Sequence, residues 1–303
     1  FDHLIEKSWQ GEARGFVRTM TRAGEVADPR ADLYDLAFVL FACAWLHRAG
    51  GDAQPREWAL RTADFIETRM RHPSGGFLHM SPIDGWRLQN PHMHLTEACL
   101  AAHAATGEAR FARLAADLVE LCLARFLDPV SGALREHFTD ALEPAPGEAG
   151  RRVEPGHLFE WCWILSEARK QLGLDVRAAI RRAAGFAERH GVDPSSGAVY
   201  NAVDLDGAVL DAASRTWPNT ERIKAAVALF ETFGEDPGPI VSQSGELLLE
   251  RYLGPAARPG LAPGAWVDAL DASSRPAPGP APASTLYHLF LAFAEAMRIA
   301  PDP

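Results

Sequence analysis

A repeat of about sixty residues is the feature that most restricts how this chain can fold. Five short segments each place small residues before an apolar residue: ARGFVRTM from residue 13, SGGFLHM from 74, SGALREHF from 131, SGAVYNAV from 196 and PGAWVDAL from 263. The apolar positions Phe16, Phe77, Leu134, Val199 and Trp266 are 61, 57, 65 and 67 residues apart. A period of this length indicates repeated supersecondary units that stack on one another.

Each segment lies between two helices of different character. An amphipathic stretch such as REWALRTADFIETRMRH precedes it, and a more apolar stretch such as HLFEWCWILSEARKQL follows it. One apolar stripe is typical of an outer helix, whereas a helix that is apolar nearly all round is buried in an inner layer. The sequence therefore predicts an α/α toroid, with short β-hairpins on one rim where the glycine-led segments lie.

The repeat also predicts the extent of the domain. Five inner helices are visible in the 303 residues, and six would close a ring. Because Phe1 falls within the predicted first outer helix, the first inner helix is expected before residue 1. The Pro-rich run at 273–284 lies too near the C-terminus to separate two domains. We therefore expect one domain, residues 1–303, that is truncated at its N-terminus.

Composition excludes several classes of partner. The net charge of −10 argues against nucleic acid and anionic membranes, which both require a concentrated basic face. The sequence shows no apolar run of membrane-spanning length and no signal peptide. All four cysteines lie in apolar helical runs without CxxC spacing, so reduced buried thiols and a cytoplasmic location are predicted. They are Cys43, Cys99, Cys122 and Cys162.

Polar residues concentrate where the inner helices begin, and these ends should share one rim because each follows a long loop. The second and third inner helices carry His-x-x-Glu pairs, His94 with Glu97 and His157 with Glu160. Residues three apart share a helix face, so both members of a pair can face one central pocket. Polar groups set among aromatic side chains are typical of small-ligand sites, and tryptophan faces suit sugars. Asp32, Asp35, Asn90 and Ser284 are interpreted as candidate caps of these helices. Other polar or aromatic residues at the helix starts are Trp217, Glu221, Tyr287 and His288.

The residue types favour proton transfer. Histidine exchanges protons near neutral pH, and a helix N-terminus should keep an imidazole neutral and basic. Two such histidines on opposite sides of a pocket could move protons between adjacent carbons of an opened sugar. The His-x-x-Glu order reverses that of di-metal helical proteins, and no bridging carboxylate is evident, so no metal is predicted. No P-loop, G-x-G-x-x-G fingerprint or serine triad is present, so no cofactor is expected.

Four ordered motifs resemble the N-acylglucosamine 2-epimerase superfamily. They are NPHMHLTEA, EPGHLFEWCW, RTWPNTERIKAA and ASTLYHLFLAF, and with the intervening SGG and SGA turns they span nearly the whole chain. The bacterial aldose–ketose isomerase branch, which includes mannose isomerase, is the most similar. The resemblance implies an all-α (α/α)6 barrel and metal-free proton transfer through a cis-enediol.

The resemblance also implies roles for individual residues. His157 matches the acid/base that moves a proton between C1 and C2, and Glu160 matches the carboxylate that supports it. His288 matches a second histidine, assigned to ring opening or, in epimerases, to proton transfer on the opposite face. The matched sugar-binding positions are Asn90, His94 and Trp217, with Arg151 a further candidate for holding a hydroxyl or an anionic substituent.

The chain departs from the family pattern in two places. The family's WPQTE motif reads WPNTE here, which gives Asn219 a shorter reach than glutamine. The first inner helix of the family carries an arginine in a QAR motif, and no segment of this chain matches it. An arginine-bearing helix is therefore expected before residue 1.

The first functional hypothesis is a cofactor-independent sugar isomerase that interconverts an aldose such as D-mannose and the ketose D-fructose, with a monosaccharide as its small-molecule partner. The alternative is 2-epimerisation of an N-acylglucosamine or of a disaccharide such as cellobiose by the same histidines. A non-catalytic sugar- or protein-binding toroid is a further alternative. A glycoside hydrolase would need two carboxylates flanking the scissile bond, and here the carboxylates accompany histidines.

Overall fold

Helices of two kinds alternate along the chain, in the order that the repeat predicts. The computed structural model describes residues 1–254, 257, 260–262 and 264–300. The chain divides into two compact units. The first consists of Phe1–Phe126, His137–Pro146 and Lys170–Leu174, and the second of Leu127–Glu136, Gly147–Arg169 and Asp175–Pro303.

The first unit is built on two helices that pack against each other, α2 (Leu33–Gly50) and α4 (Asn90–Thr106). Helix α3 (Ala53–Phe65) packs on α2, and α5 (Ala109–Leu121) packs on α4. A short helix, α1 (Asp2–Ser8), precedes them. The strands are β1 (Thr19–Met20), β2 (Val26–Asp28), β3 (Ala31–Asp32), β4 (Met80–Ser81), β5 (Arg87–Leu88) and β6 (His137–Phe138), and they pair antiparallel as β1–β2, β3–β4 and β5–β6.

The second unit contains the remaining helices apart from the last three residues of α6. They are α6 (Pro155–Leu172), α7 (Arg177–His190), α8 (Thr216–Phe233), α9 (Gly238–Leu247) and α10 (Ser284–Ile299), and α8 packs against α7, α9 and α10. Strands β7 (Arg152–Val153), β8 (Ala202–Asp204) and β9 (Val209–Asp211) form one antiparallel sheet, and β10 (Ser214–Arg215) pairs with β11 (Ala269–Leu270). Helices α3, α5 and α9 each end in a π-helical turn, at Ile66–Met70, Cys122–Phe126 and Leu248–Leu253.

The predicted repeat positions are structurally equivalent. Four of the five apolar residues each form an antiparallel bridge with a residue one or two positions after the preceding outer helix, and each is at most 2% exposed. The bridges are Trp9–Phe16, Arg71–Phe77, Leu127–Leu134 and Val192–Val199. In the fifth segment the Val267 amide donates to the Tyr252 carbonyl at 2.8 Å, and Pro263 lies outside the described residues. The repeat prediction is therefore confirmed at these positions.

Burial confirms the inner-helix prediction for three helices. Helix α4 is buried without interruption over residues 91–100, α6 over 155–162 and α8 over 218–229. Helix α10 differs, because only one of its faces is buried: Leu286, Phe290 and Met297 are 57%, 72% and 76% exposed. Among the described residues, no helix combines the length and the apolar composition needed to cross a membrane.

The cap predictions are confirmed in part. The Asp32 carboxylate accepts a hydrogen bond from the Tyr34 amide at 2.9 Å, which is the N-cap arrangement predicted for α2. Ser284 does not cap α10 as predicted, since it is the first helical residue and Ala283 occupies the cap position. The four cysteines are buried and form no disulfide bonds, as expected.

Candidate active site

Two histidines of the second unit lie against one tryptophan. The ring centroids of His157 and Trp217 are 5.0 Å apart, and those of Trp217 and His288 are 5.3 Å apart. His157 belongs to the first turn of α6, Trp217 to the first turn of α8 and His288 to the second turn of α10. The histidines are 5% and 6% exposed. Three inner helices of one unit thus bring their N-terminal ends together in a His157–Trp217–His288 cluster.

His157 is held by a carboxylate from the extended segment that precedes its own helix. Its Nδ1 lies 3.0 Å from Glu136 Oε2, and both side chains are buried. Burial by itself lowers the pKa of His157, but the Glu136 charge and hydrogen bond, helped by Glu154, outweigh it and raise that pKa above its usual value. The expectation that the helix N-terminus keeps this imidazole neutral is thereby corrected, since a buried carboxylate acts in the opposite direction.

Two arginines surround the carboxylate next to this pair. Glu154 Oε2 accepts from Arg215 Nη2 at 2.9 Å, and Glu154 Oε1 lies 3.5 Å from Arg152 Nε. The Arg215 guanidinium also lies 5.1 Å from the centroid of the Trp217 ring. Burial would raise the pKa of Glu154, but His157 and the two arginines hold it below its usual value. A positively charged, partly exposed side chain therefore lies beside the histidine and the indole.

His288 is bound by a carboxylate with a different neighbour. Its Nδ1 lies 2.7 Å from Glu221 Oε1, and Glu221 Oε2 forms an ion pair with Lys224 Nζ at 2.9 Å. Glu221 and Lys224 are fully buried one turn apart on α8. In each pair the carboxylate engages Nδ1, so Nε2 is the nitrogen that can exchange a proton with a ligand.

Glu160 lies near the second histidine. Single ligand atoms of Glu160, Glu221 and His288 lie within 4.8 Å of one another, a separation that a metal ion could bridge. The Lys224 ammonium already compensates the Glu221 carboxylate there, and a second cation would have to displace it. The residues Glu160, Glu221 and His288 therefore fit a metal poorly.

Gly156 lets Trp217 approach α6. A Cβ atom at position 156 would lie 2.6 Å from Cη2 and Cζ3 of the Trp217 indole and 2.9 Å from Pro218 Cβ. Real Cβ atoms do not approach other atoms this closely. The glycine that precedes His157 in the EPGH motif is therefore required by the packing of the indole that both histidines contact.

In the first unit, His94 lies in an aromatic environment. Its ring centroid is 4.8 Å from that of Tyr34 and 4.9 Å from that of Phe38, and its Nδ1 is 3.8 Å from Glu97 Oε2. His94 and Glu97 are 3% and 4% exposed, and Asn90 is the first residue of α4. The predicted i, i+3 geometry of this pair is present.

Arg151 is engaged by carboxylates. Its Nη2 donates to Asp204 at 3.0 Å and to Asp206 at 2.6 Å, and its side chain is 47% exposed. These ion pairs connect the residue before β7 to the end of β8 and the turn that follows. Of the two guanidinium groups, that of Arg215 is the one that stacks on the cluster's tryptophan, so the structure offers Arg215 rather than Arg151 as the cation beside His157.

Comparison with known proteins decides the family. A model of the N-acylglucosamine 2-epimerase (GlcNAc 2-epimerase) family matches residues 2–292. The chain belongs to this family. A mannose-6-phosphate isomerase of Rhizobium meliloti (strain 1021) is 38% identical over 298 residues, which cover 94% of this chain and 75% of that relative. A D-mannose isomerase of Thermobifida fusca is 30% identical over 245 residues, which cover 74% of this chain and 60% of that relative.

Solved structures show the same fold. The cellobiose 2-epimerase of Spirochaeta thermophila DSM 6192 superimposes with a TM-score of 0.81 and 23% identity, covering 98% of this chain and 77% of that one. The family match and the names of the relatives identify the chain as an enzyme of the sugar isomerase and epimerase class.

Asn219 of this family member has a structural role. It is fully buried, its Oδ1 accepts from the Val199 amide at 3.0 Å, and its Nδ2 donates to Arg215 O at 2.7 Å. His92 accepts from the Phe77 amide at 2.9 Å in the equivalent place of the first unit. The shorter reach of asparagine in WPNTE therefore affects how the repeat segment is anchored to the inner helix.

Sequence reasoning missed Glu136, although the repeat contains a signal for it. Glu136 lies two residues after the repeat position Leu134, and residues 134, 136 and 138 are all buried, as expected for an extended stretch. In every repeat the residue two positions after the apolar one is polar: Arg18, His79, Glu136, Asn201 and Asp268. Three of them hydrogen bond within the second unit to His157, Arg215 and Thr285, at or just before the start of the next inner helix. Lys224 and Arg215 were missed because a single cation in a helical or extended stretch is typical of a surface residue.

Proposed function

We propose that the chain isomerises an aldose of the mannose type to the corresponding ketose of the fructose type. The observation that carries this proposal is that two buried histidines, each bound through Nδ1 to a carboxylate, lie against one indole. The reaction requires removal of a proton from C2 and its return to C1, with a compensating proton shift between the two oxygens. A paired imidazole is suited to carry such a proton.

The two histidines receive different roles. His157 carries the proton between C1 and C2, and Glu136 stabilises the imidazolium that forms. His288, held by Glu221, opens the sugar ring. The sugar packs its C–H face on Trp217. The names mannose-6-phosphate isomerase and D-mannose isomerase of the two relatives support this substrate class.

The remaining predictions rest on the family resemblance. They are the (α/α)6 barrel as a single domain, sugar contacts by Asn90 and His94, and a supporting role for Glu160. Arg151 also stays a predicted contact of an anionic substituent, with Arg215 added to it because that guanidinium lies beside Trp217.

Incubation with D-mannose and with mannose 6-phosphate in deuterated water tests the proposal. We expect the ketose to form and to carry deuterium at C1, both detected by NMR, and faster turnover of the phosphorylated sugar would identify the cations beside Trp217 as anion ligands. If neither sugar yields a ketose and neither exchanges a carbon-bound proton, the proposed isomerisation is wrong.

The alternative is 2-epimerisation, since two histidines that lie against one indole could exchange the C2 proton on opposite faces of the sugar. The similarity to a cellobiose 2-epimerase supports this alternative. With cellobiose or N-acetylglucosamine in deuterated water, epimerisation would place deuterium at C2 of the product and form no ketose.

A further inference from the structure

Lys224 is a fully buried lysine beside the His288 pair. It lies one turn after Glu221 on α8, both side chains are 0% exposed, and their charged atoms are 2.9 Å apart. Lysine is almost never fully buried unless it is paired. A buried ion pair adds little net stability relative to apolar residues of the same volume, so packing alone gives no reason for this one.

The surroundings hold the ammonium in place. Lys224 Nζ lies 4.2 Å from the centroid of the Trp163 ring and 5.6 Å from that of Tyr287, both distances at which a cation is attracted to a ring face. Trp163 is itself fixed, because its Nε1 donates to Glu295 at 3.2 Å. Helices α6 and α10 thus confine the ammonium that α8 supplies.

The same carboxylate serves the lysine and the histidine. Glu221 Oε2 faces Lys224, and Glu221 Oε1 accepts from His288 Nδ1 at 2.7 Å. Burial would raise the pKa of Glu221, but the Lys224 charge, followed by the His288 hydrogen bond, holds it below its usual value. Glu221 therefore stays ionised while it is buried, which it must do to accept from His288.

We propose that Lys224 is a positioning residue for His288: its buried charge keeps Glu221 as an acceptor for His288 Nδ1 and opposes the binding of a further proton by the Glu221–His288 pair. The inference rests on the proposed function for its kinetic test. Titratable groups near the pair within the second unit include Glu160 on α6 and Tyr287 on α10, and His157 lies on the other side of the contact with Trp217.

The kinetic test compares Lys224→Met with Lys224→Arg, and uses Lys7→Met on an exposed turn of α1 as the matched control. Removal of a positive charge strengthens proton binding by the coupled pair. In Lys224→Met we therefore expect the acidic limb of the kcat/KM profile to move up by about one pH unit, and kcat at pH 7 to fall about tenfold with little change in KM. In Lys224→Arg the acidic limb should lie close to its wild-type pH, and in Lys7→Met it should not move.

A second readout does not depend on turnover. The pH midpoint of the Glu221–His288 pair can be followed by NMR on protein with 15N-labelled histidine, with His288→Gln used to assign the signal. We expect the midpoint to rise in Lys224→Met. If Lys224→Met does not fold, Lys224→Gln replaces it, since glutamine keeps an N–H donor near Glu221 without the charge.

The outcomes separate the two proposals. A wild-type chain without isomerase activity whose histidine midpoint still rises in the variant would reject the proposed function and support the role of Lys224. An active chain in which Lys224→Met changes neither the pH limb nor the midpoint, or lowers both, would overturn the role of Lys224 alone.

Discussion

The two histidine pairs of the second unit share one design and differ in their neighbours. In each, a buried carboxylate binds Nδ1 of a histidine that contacts Trp217. Glu136 comes from an extended segment before α6. The Glu154 amide donates to Glu136, and the Glu154 carboxylate pairs with Arg215 and Arg152. Glu221 comes from the neighbouring helix and is itself paired with Lys224.

The two histidines lie in different electrostatic environments. The charge and hydrogen bond of Glu136 outweigh burial and raise the pKa of His157. Lys224 forms an ion pair with Glu221, and its positive charge offsets part of the attraction between the Glu221 carboxylate and His288. Glu136 therefore favours a charged His157, whereas Lys224 opposes a further positive charge at the Glu221–His288 pair.

Removal of either imidazole gives the largest expected effect. We expect His157→Gln and His288→Gln each to lower kcat/KM by about a thousandfold, since a positioned acid/base contributes roughly 10²- to 10⁴-fold. The comparison predicts different residual chemistry. Any ketose made by His288→Gln should still carry deuterium at C1, whereas His157→Gln should show no carbon-bound exchange, as measured by NMR in deuterated water.

The exposed His3→Gln on α1 is the matched control and should retain wild-type turnover. Equal loss of carbon exchange in both active-site variants would contradict the division of roles and favour the two-base epimerase mechanism.

Neutralising Glu136 tests the His157 side of the comparison. Because the Glu136 charge and hydrogen bond raise the pKa of His157 against burial, Glu136→Gln should lower that pKa. A base with a lower pKa is neutral down to lower pH, so the acidic limb of kcat/KM should move to lower pH, opposite to the Lys224→Met shift. We also expect kcat to fall about 10- to 100-fold, since a carboxylate no longer stabilises the imidazolium. The measurement is kcat/KM between about pH 5 and 9, the range that brackets a histidine titration.

Glu120→Gln, an exposed position on α5, controls for loss of a negative charge elsewhere. A limb that moves to higher pH in Glu136→Gln would show that Glu136 does not set the proton affinity of His157.

A smaller effect is expected from the tryptophan that both pairs share. In Gly156→Ala the new methyl group would lie 2.6 Å from the Trp217 indole, so the ring must shift against both histidines. Overpacking of this kind costs about 1 to 3 kcal/mol, and we expect about a tenfold loss of kcat/KM. Gly185→Ala on α7 is the control, since its Cβ would meet only Arg189 Nη2 at 3.8 Å. Urea unfolding and kinetics measure both; equal destabilisation of the two variants would contradict this packing.

The sequence predicted helices and repeat positions well because both depend on local pattern. Phe77 and Val199, for example, were identified by spacing alone, and each occupies the predicted bridge. The histidines were found because EPGH and YH begin predicted inner helices. The partners of those histidines depend on which segments meet in space. Glu136 is 21 residues from His157 and Glu221 is 67 from His288, so the helical i, i+3 rule favoured Glu160 instead. The sequence feature that could have identified Glu136 is the polar residue found two positions after the apolar residue in every repeat.

The smallest predicted effect comes from the first unit, where burial and a like charge perturb a carboxyl group. Asp35, on the first turn of α2, lines a cavity of about 310 Å³ with Phe16, Phe38 and Arg18. Burial, and then the like charge of Asp32, raise the pKa of Asp35 to about 7. The side chain that caps α2 is that of Asp32. The opposite charge of Glu136 raises the pKa of His157 against the effect of burial, whereas the like charge of Asp32 raises the pKa of Asp35 in the same direction as burial.

The sign of the Asp35 effect follows from proton binding. The native chain binds a proton at Asp35 more tightly than the unfolded chain, so this residue lowers stability progressively as the pH rises from about 4 to 7. Asp35→Asn removes that cost. After a discount for partial solvent exposure, we expect the variant to be about 1 kcal/mol more stable at about pH 8 and unchanged at about pH 4, as measured by urea unfolding. An equal gain in stability at both pH values would mean that hydrogen bonding or packing causes the effect. Burial of an unpaired charge would then not explain how Asp35 differs from Glu136 and Glu221, which are paired with histidines.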